Sequence, residues 1–234
     1  MIGKAIAHES DATFFSISSS SLASKWAGES EKLVKYLFVE ASKRAPSVVF
    51  IDEVDSFLSQ RKMNEEEGSR KAKTEFLVQL DGVGSTSSGI LFIGATNLPQ
   101  DLDDAARRRF AKRLYIPLPD QHGREALLRN VLRDNLHSLT DSEFEKLACD
   151  TEGFSGADLQ SLCEDAGRAP IRSLLRKGNM MDIDADEIPP ISYGHFHEAL
   201  SCMNASVSSD DLQMYIDWNN AYGSKVGMRK GKSR

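Results

Sequence analysis

Two adjacent carboxylates, Asp52 and Glu53, close the apolar run Val48-Val49-Phe50-Ile51, and no other pairing in the chain is as well suited to chemistry. Four apolar residues rich in β-branching read as a strand buried on both faces. Such a strand ends where water begins, which places Asp52 and Glu53 at its carboxyl end, where open α/β sheets bind ligands. There one carboxylate can hold Mg²⁺ while its neighbour polarises a water, the division of labour that cleavage of a triphosphate requires. A strand running straight into an acidic helix start accounts for the same two residues. Alone, they do not choose between these readings.

The elements that must position the pair follow from residue patterning. Met1 to Ala7 has helical spacing with Ile2 and Ile6 on one face, although no capping residue precedes it. Thr13 to Ile17 reads as a strand, and a serine-rich link leads to Lys25-Trp26-Ala27-Gly28. A helix with Leu33, Leu37 and Ala41 on one face stops at Pro46. After the acidic strand a polar segment reaches Gly68, and Ser69 to Leu80 forms an amphipathic helix closed by Gly82. Ile90 to Ala95 is a second buried strand ending at Thr96-Asn97. A short helix carries Arg107, Arg108 and Arg109, and Leu114-Tyr115-Ile116 is a further apolar strand ended by Pro117 and Pro119. Strands alternating with helices predict a parallel α/β sheet. Beyond Pro119 the pattern is helical: Arg124 to Arg133, then capping boxes at Thr140/Glu143, Ser155/Asp158 and Ser208/Asp211, with a helix marked by Phe196 and Leu200 between the last two.

Composition sets bounds. The 234 residues are 40% hydrophobic and 27% charged, which suits one globular domain or two closely packed ones. A formal charge of -6 argues against general affinity for nucleic acid or acidic membranes. Cys149, Cys163 and Cys202 show no metal-ligand or redox spacing, so a reducing compartment, cytoplasm or nucleus, is the expectation. No apolar run approaches membrane-spanning length, and no secretory leader is recognised.

Several motifs recur in order: Lys25-Trp26-Ala27-Gly28-Glu29, Phe50-Ile51-Asp52-Glu53-Val54-Asp55, Gly94-Ala95-Thr96-Asn97, Arg107-Arg108-Arg109, Phe154-Ser155-Gly156-Ala157-Asp158 and Tyr215-Ile216-Asp217-Trp218-Asn219. In their spacing the chain resembles the AAA ATPases of the microtubule-severing (meiotic) clade, and within it the fidgetin-like group more than spastin or katanin. The resemblance implies an AAA+ P-loop NTPase-type parallel sheet over 1–118, a small α-helical lid over 119–206, a terminal helix over 207–224 and a basic tail over 225–234. It implies ATP and Mg²⁺ as cofactors. Asp52 would support the metal, Glu53 would activate water and Asn97 would act as sensor 1, though an asparagine there also suits a plain turn. Arg108 and Arg109 would be fingers reaching a neighbouring subunit's ATP, with Arg107 the weaker candidate. Gly156 and Ala157 would lie beside the nucleotide, where a helix cap explains them nearly as well. Trp26, with Lys25 and Arg70, would line a substrate pore.

The implied activity is ATP-driven protein remodelling in a homo-oligomeric ring, a hexamer, acting on a protein such as the tubulin tails of microtubules, with no membrane or direct nucleic-acid partner. Three departures bear on this. Glu65-Glu66-Glu67-Gly68 puts negative charge where the family's second pore loop carries histidine and serines, and Leu98 replaces a common arginine. No GxxxxGK[ST] occurs in these residues, so the phosphate cradle and the strand leading into it are missing from them. The alternative function is therefore an ATP-incompetent subunit that donates its arginines or serves only as a binding partner.

Overall fold

Three parallel strands, Thr13–Ser18 (β1), Ser47–Asp52 (β2) and Ile90–Gly94 (β3), lie side by side in that order in a computed structural model that describes residues 2–22, 29–60, 67–83, 89–176 and 188–224. The register pairs Thr13 with Ser47 and Ser47 with Ile90, so the three carboxyl ends finish together, with Ser18 opposite Asp52 and Gly94 opposite Ile51. β2 is hydrogen-bonded on both edges, which explains its uninterrupted Val48-Val49-Phe50-Ile51 run.

Each sheet face is covered for a reason visible in the side chains. On one face Phe15, Ile17, Val49, Ile51 and Phe92 meet the helices Glu29–Lys43 (α3) and Glu67–Val83 (α5). Phe38 stacks on Phe92 with ring centroids 4.6 Å apart, while Phe76 stands edge-on to both Phe38 and Phe57 at 5.5 and 5.6 Å. Burying each such ring contributes about 1.5–3 kcal/mol. The other face carries Phe14 and Phe50, covered by the first helix, Ile2–Glu9 (α1). Its close approach depends on Gly3, where an added Cβ would fall 2.9 Å from the Phe50 ring. Shorter elements complete this layer: Ser19–Leu22 (α2), Val54–Leu58 (α4) and Asp104–Arg109 (α6).

The described chain forms two compact units, one spanning Met1–Arg113 and rejoined by the chain's end from Ala221, the other Leu114–Asn220. The second is helical: Gln121–Leu132 (α7), Asp141–Asp150 (α8), Gly156–Arg176 (α9), Tyr193–Leu200 (α10) and most of Ser209–Tyr222 (α11). Leu128, Leu132, Phe144, Leu147, Leu159, Leu162 and Phe196 form its core. All three capping boxes read from the sequence are made, at Thr140/Glu143, Ser155/Asp158 and Ser208/Asp211. No helix among the described residues is long and apolar enough to cross a membrane.

Several local expectations are corrected. Leu114-Tyr115-Ile116 is not a strand: a strand exists only when its backbone groups find a neighbour's ladder, and among the described residues none pairs with this segment, whose Leu114 and Ile116 are each 64% exposed. α3 buries Ser30, Val34, Leu37, Phe38 and Ala41, so the stripe is turned by one residue and Leu33 is 44% exposed. In α1 the inward residues are Gly3 and Ala7 rather than Ile6, because only small side chains fit against the phenylalanine rings. α5 runs through Gly82 to Val83 instead of stopping before it. α2 and α4 lie where links were expected; each is about one turn, too short for periodicity to reveal.

Gly3→Ala should destabilise the protein by about 1–3 kcal/mol, read as a lower urea midpoint at unchanged slope, because the methyl must displace an aromatic ring rather than a flexible chain end. Wild-type stability of Gly3→Ala would show that α1 is free to move away from the sheet.

Candidate functional site

Asp52 is the last residue of β2 and Glu53 follows it in a left-handed conformation, φ 51° and ψ 45°. Both side chains are exposed, as a ligand-binding pair must be. A non-glycine residue in this region costs about 1–2 kcal/mol and persists only where the surroundings over-determine it. They do so here through one carbonyl. Glu53 O accepts from Ser19 Oγ at 2.6 Å, from Ser56 N at 2.9 Å and from Ser56 Oγ at 2.9 Å. The Ser19 hydroxyl also reaches Asp52 O at 2.8 Å, tying the start of α2 to the end of β2. The next amide, Val54 N, donates to Ala95 O at 2.9 Å, and Ala95 N donates to Ile51 O at 2.9 Å. The turn is thereby clipped to the segment leaving β3. Gly94 permits that approach, since a Cβ there would lie 3.1 Å from Val54 Cγ1.

Beyond β3, Thr96 Oγ1 donates to Asp55 Oδ1 in a short hydrogen bond and accepts from Leu98 N at 2.9 Å. These contacts fix the segment holding Asn97, whose side chain is exposed beyond the carboxyl end of β3. Asp52, Glu53 and Asn97 therefore lie at or just beyond the carboxyl end of one sheet. Asp52 Oδ1 accepts from Glu53 N at 3.0 Å, and its other oxygen meets no protein donor among the described residues. Among those residues no three His, Cys, Asp or Glu side chains gather as a metal cage. One or two carboxylates suit Mg²⁺, which keeps several waters and takes its remaining ligands from phosphate.

The three arginines of α6 diverge. Arg108 is exposed with no ion pair among the described residues. Arg109 forks onto Asp81, with Nη2 2.6 Å from Oδ2 and Nε 2.9 Å from Oδ1. Arg107 pairs with Asp104 at 2.5 Å and lies 4.2 Å over the Tyr222 ring. Arg70 is exposed on the first turn of α5. Lys25 and Trp26 lie outside the described residues, as do Glu65 and Glu66.

In the second unit Gly156 and Ala157 are exposed in the first turn of α9. The adjacent Asp158 is buried and accepts from Ser155 N at 2.8 Å and Ser206 Oγ at 3.0 Å. Burial works to raise its pKa, but the hydrogen bonds from Ser155 and Ser206 outweigh it and hold the carboxyl below the ordinary aspartate range. In the same unit burial pushes the Cys163 thiol up to about 12, so it is inert packing and not a nucleophile.

Residues 1–118 match the family of ATPases associated with various cellular activities, 141–185 match its lid domain and 175–223 match the Vps4 C-terminal oligomerisation domain. A crystal structure of the FIGL-1 AAA domain superposes with a TM-score of 0.88 at 45% identity, covering 96% of this chain and 73% of that one. The chain belongs to the AAA ATPase family. Its fold is the AAA α/β sheet with a helical lid, as the motifs implied. Fidgetin-like protein 1 of Rattus norvegicus is 50% identical over 224 residues, 95% of this chain and 33% of that protein. The AAA chain thus spans about a third of that relative's length. The FIGL-1 AAA domain in complex with ADP matches with a TM-score of 0.85 at 46% identity (95% and 74% covered), and a katanin structure concerned with self-assembly with 0.76 at 35% (94% and 72% covered).

Sequence reasoning missed the supports of this AAA site. Ser19 sat in what read as a link, and no local pattern announces a hydroxyl bonding 33 residues away. Asp81 and Tyr222 were likewise invisible as partners of the arginines, because both contacts join distant elements.

Two measurements test the geometry. Glu53→Gly should be more stable than Glu53→Ala by about 1 kcal/mol in urea denaturation, reversing the usual helix order, because only glycine is unstrained at this backbone angle. The opposite ranking would exclude the left-handed turn. Asp158 contributes stability that is present above the unfolded aspartate pKa and lost as pH falls through its depressed folded value. Asp158→Asn should therefore cost about 1 kcal/mol at neutral pH and flatten the acid limb of the stability profile; an unchanged limb would remove the capping account.

Proposed function

We propose that this chain takes part in ATP hydrolysis coupled to protein remodelling within a ring, with microtubules as the leading substrate and a hexamer as the assembly. The observation that supports this most is the pairing of Asp52 with a left-handed Glu53 at the end of the central strand, beside the segment that carries Asn97. Bound ATP with Mg²⁺ would supply a polarised terminal phosphate. Asp52 would hold the metal's side of the site through its unengaged oxygen. Glu53, held outward by its strained backbone, would take the proton of the attacking water. Asn97 would orient that water as a neutral amide, and Arg108 is the exposed guanidinium suited to a neighbouring subunit's phosphates. Arg109 would have to leave Asp81 to do the same. Gly156 and Ala157 would border the nucleotide, and Lys25, Trp26 and Arg70 would meet the translocated peptide, for which an acidic tubulin tail is the candidate.

The 234 residues contain no GxxxxGK[ST], so in this reading the cradle for the β- and γ-phosphates is supplied by other residues than these. That favours a second reading, in which the chain lends Arg108 to a neighbour's ATP and turns over none in its own site.

The two readings separate experimentally. With a strand and a GxxxxGKT segment joined ahead of Met1, Mg²⁺-dependent ATP turnover should appear and fall about 10²-fold or more in Glu53→Gln; turnover indifferent to Glu53→Gln would remove its role. Alone, the chain should show no turnover above background. Mixed with a family ATPase whose own fingers are replaced, it should restore activity through Arg108 if the second reading holds.

A further inference from the structure

We propose that Asp158 and Ser206 form a joint between the start of α9 and the start of α11, through which nucleotide at α9 orders α11. This rests on the reading above that Gly156 and Ala157 border the nucleotide. α11 lies within the stretch 175–223 that matches an oligomerisation domain, so the joint links a ligand site to an assembly element. Asp158 and Ser206 are positioning residues in this scheme, acting through the helices they hold.

One carboxylate oxygen serves both helices. Asp158 Oδ2 accepts from Ser155 N at 2.8 Å while Asp158 N donates to Ser155 Oγ at 3.2 Å, closing the capping box of α9. The same Oδ2 accepts from Ser206 Oγ at 3.0 Å and from Ser206 N at 3.4 Å, across 48 residues of sequence. Hydrogen bonds to an ionised acceptor are the stronger kind. Only Val207 separates Ser206 from Ser208, whose capping box with Asp211 opens α11. The starts of the two helices therefore meet at one buried side chain.

α11 depends on this anchor. None of its 14 residues is fully buried, and Tyr215 stacks on Tyr115 with ring centroids 6.3 Å apart. Among the described residues, 204–207 make no hydrogen bonds except those of Ser206 to Asp158. An element with so few buried contacts opens and reforms locally. The first turn of α9 has a matching property: the amides of Gly156 and Ala157 meet no acceptor among the described residues. A nucleotide that accepts from them favours the formed turn over the frayed one. The formed turn holds Asp158, Asp158 holds Ser206, and Ser206 fixes where α11 begins. Local opening equilibria joined in this way couple two sites, and the coupling is reciprocal: association through α11 tightens nucleotide at α9.

Hydrogen–deuterium exchange on the whole chain tests the joint. Asp158→Ala and Ser206→Ala should each speed exchange of the Leu212 to Tyr215 amides about 3-fold or more, leaving β2 amides unchanged. Ser206→Thr keeps the hydroxyl and should match wild type, and the double alanine variant should be no worse than Asp158→Ala. Unchanged α11 exchange in both single alanine variants, or additive effects in the double one, would overturn the joint. In the form extended by a strand and GxxxxGKT segment, Mg²⁺–ADP should slow exchange in α9 and α11 of the unaltered sequence, but in α9 alone of Ser206→Ala. A merely structural contact would leave that difference unmoved. ADP that slows α9 and not α11 in the unaltered sequence would overturn the coupling. ADP that leaves α9 unchanged would instead sink the nucleotide reading of Gly156 and Ala157, and exchange in the chain alone would still decide the joint.

Discussion

One carbonyl, that of Glu53, holds the candidate site together. It receives three hydrogen bonds from two serines, one at the start of α2 and one in the first turn of α4. Those bonds keep a glutamate where the backbone would otherwise relax to a common conformation, and the strain is confined to the residue whose side chain faces solvent. Without them the carboxylate pair would still exist in the sequence but would lose its fixed direction.

That turn is in its place because the strand beneath it cannot move. β2 is bonded on both edges and packed on both faces, by Gly3 of α1 on one side and the aromatic cluster of Phe38, Phe76 and Phe92 on the other. Rings that interlock edge to face resist sliding, and sliding the strand by one residue would turn Asp52 into the core. Packing far from the chemistry thus sets where the chemistry can happen.

The arginine helix follows the same logic with charge in place of strand pairing. Asp81 and Tyr222 hold its two flanks, one by a charge-assisted fork and the other by a ring face. Three identical side chains in a row receive three surroundings. Local charge patterning alone treats them as one basic run.

Much of the site was legible in the residues. Apolar runs ending in carboxylates or in Thr96-Asn97 announced the strands and their exposed ends, because burial on two faces demands such runs and water demands their polar stops. Capping boxes were readable for the same reason: both partners lie within four residues. The left-handed Glu53, the Ser19 clip, the lost strand at Leu114–Ile116 and the different surroundings of Arg107, Arg108 and Arg109 were not readable. Each depends on a partner dozens of residues away, or on a neighbouring strand edge being present. Local patterning fixes what a segment can become, whereas long-range hydrogen bonding and packing choose which residue points at the ligand, since those energies arise only when distant elements meet.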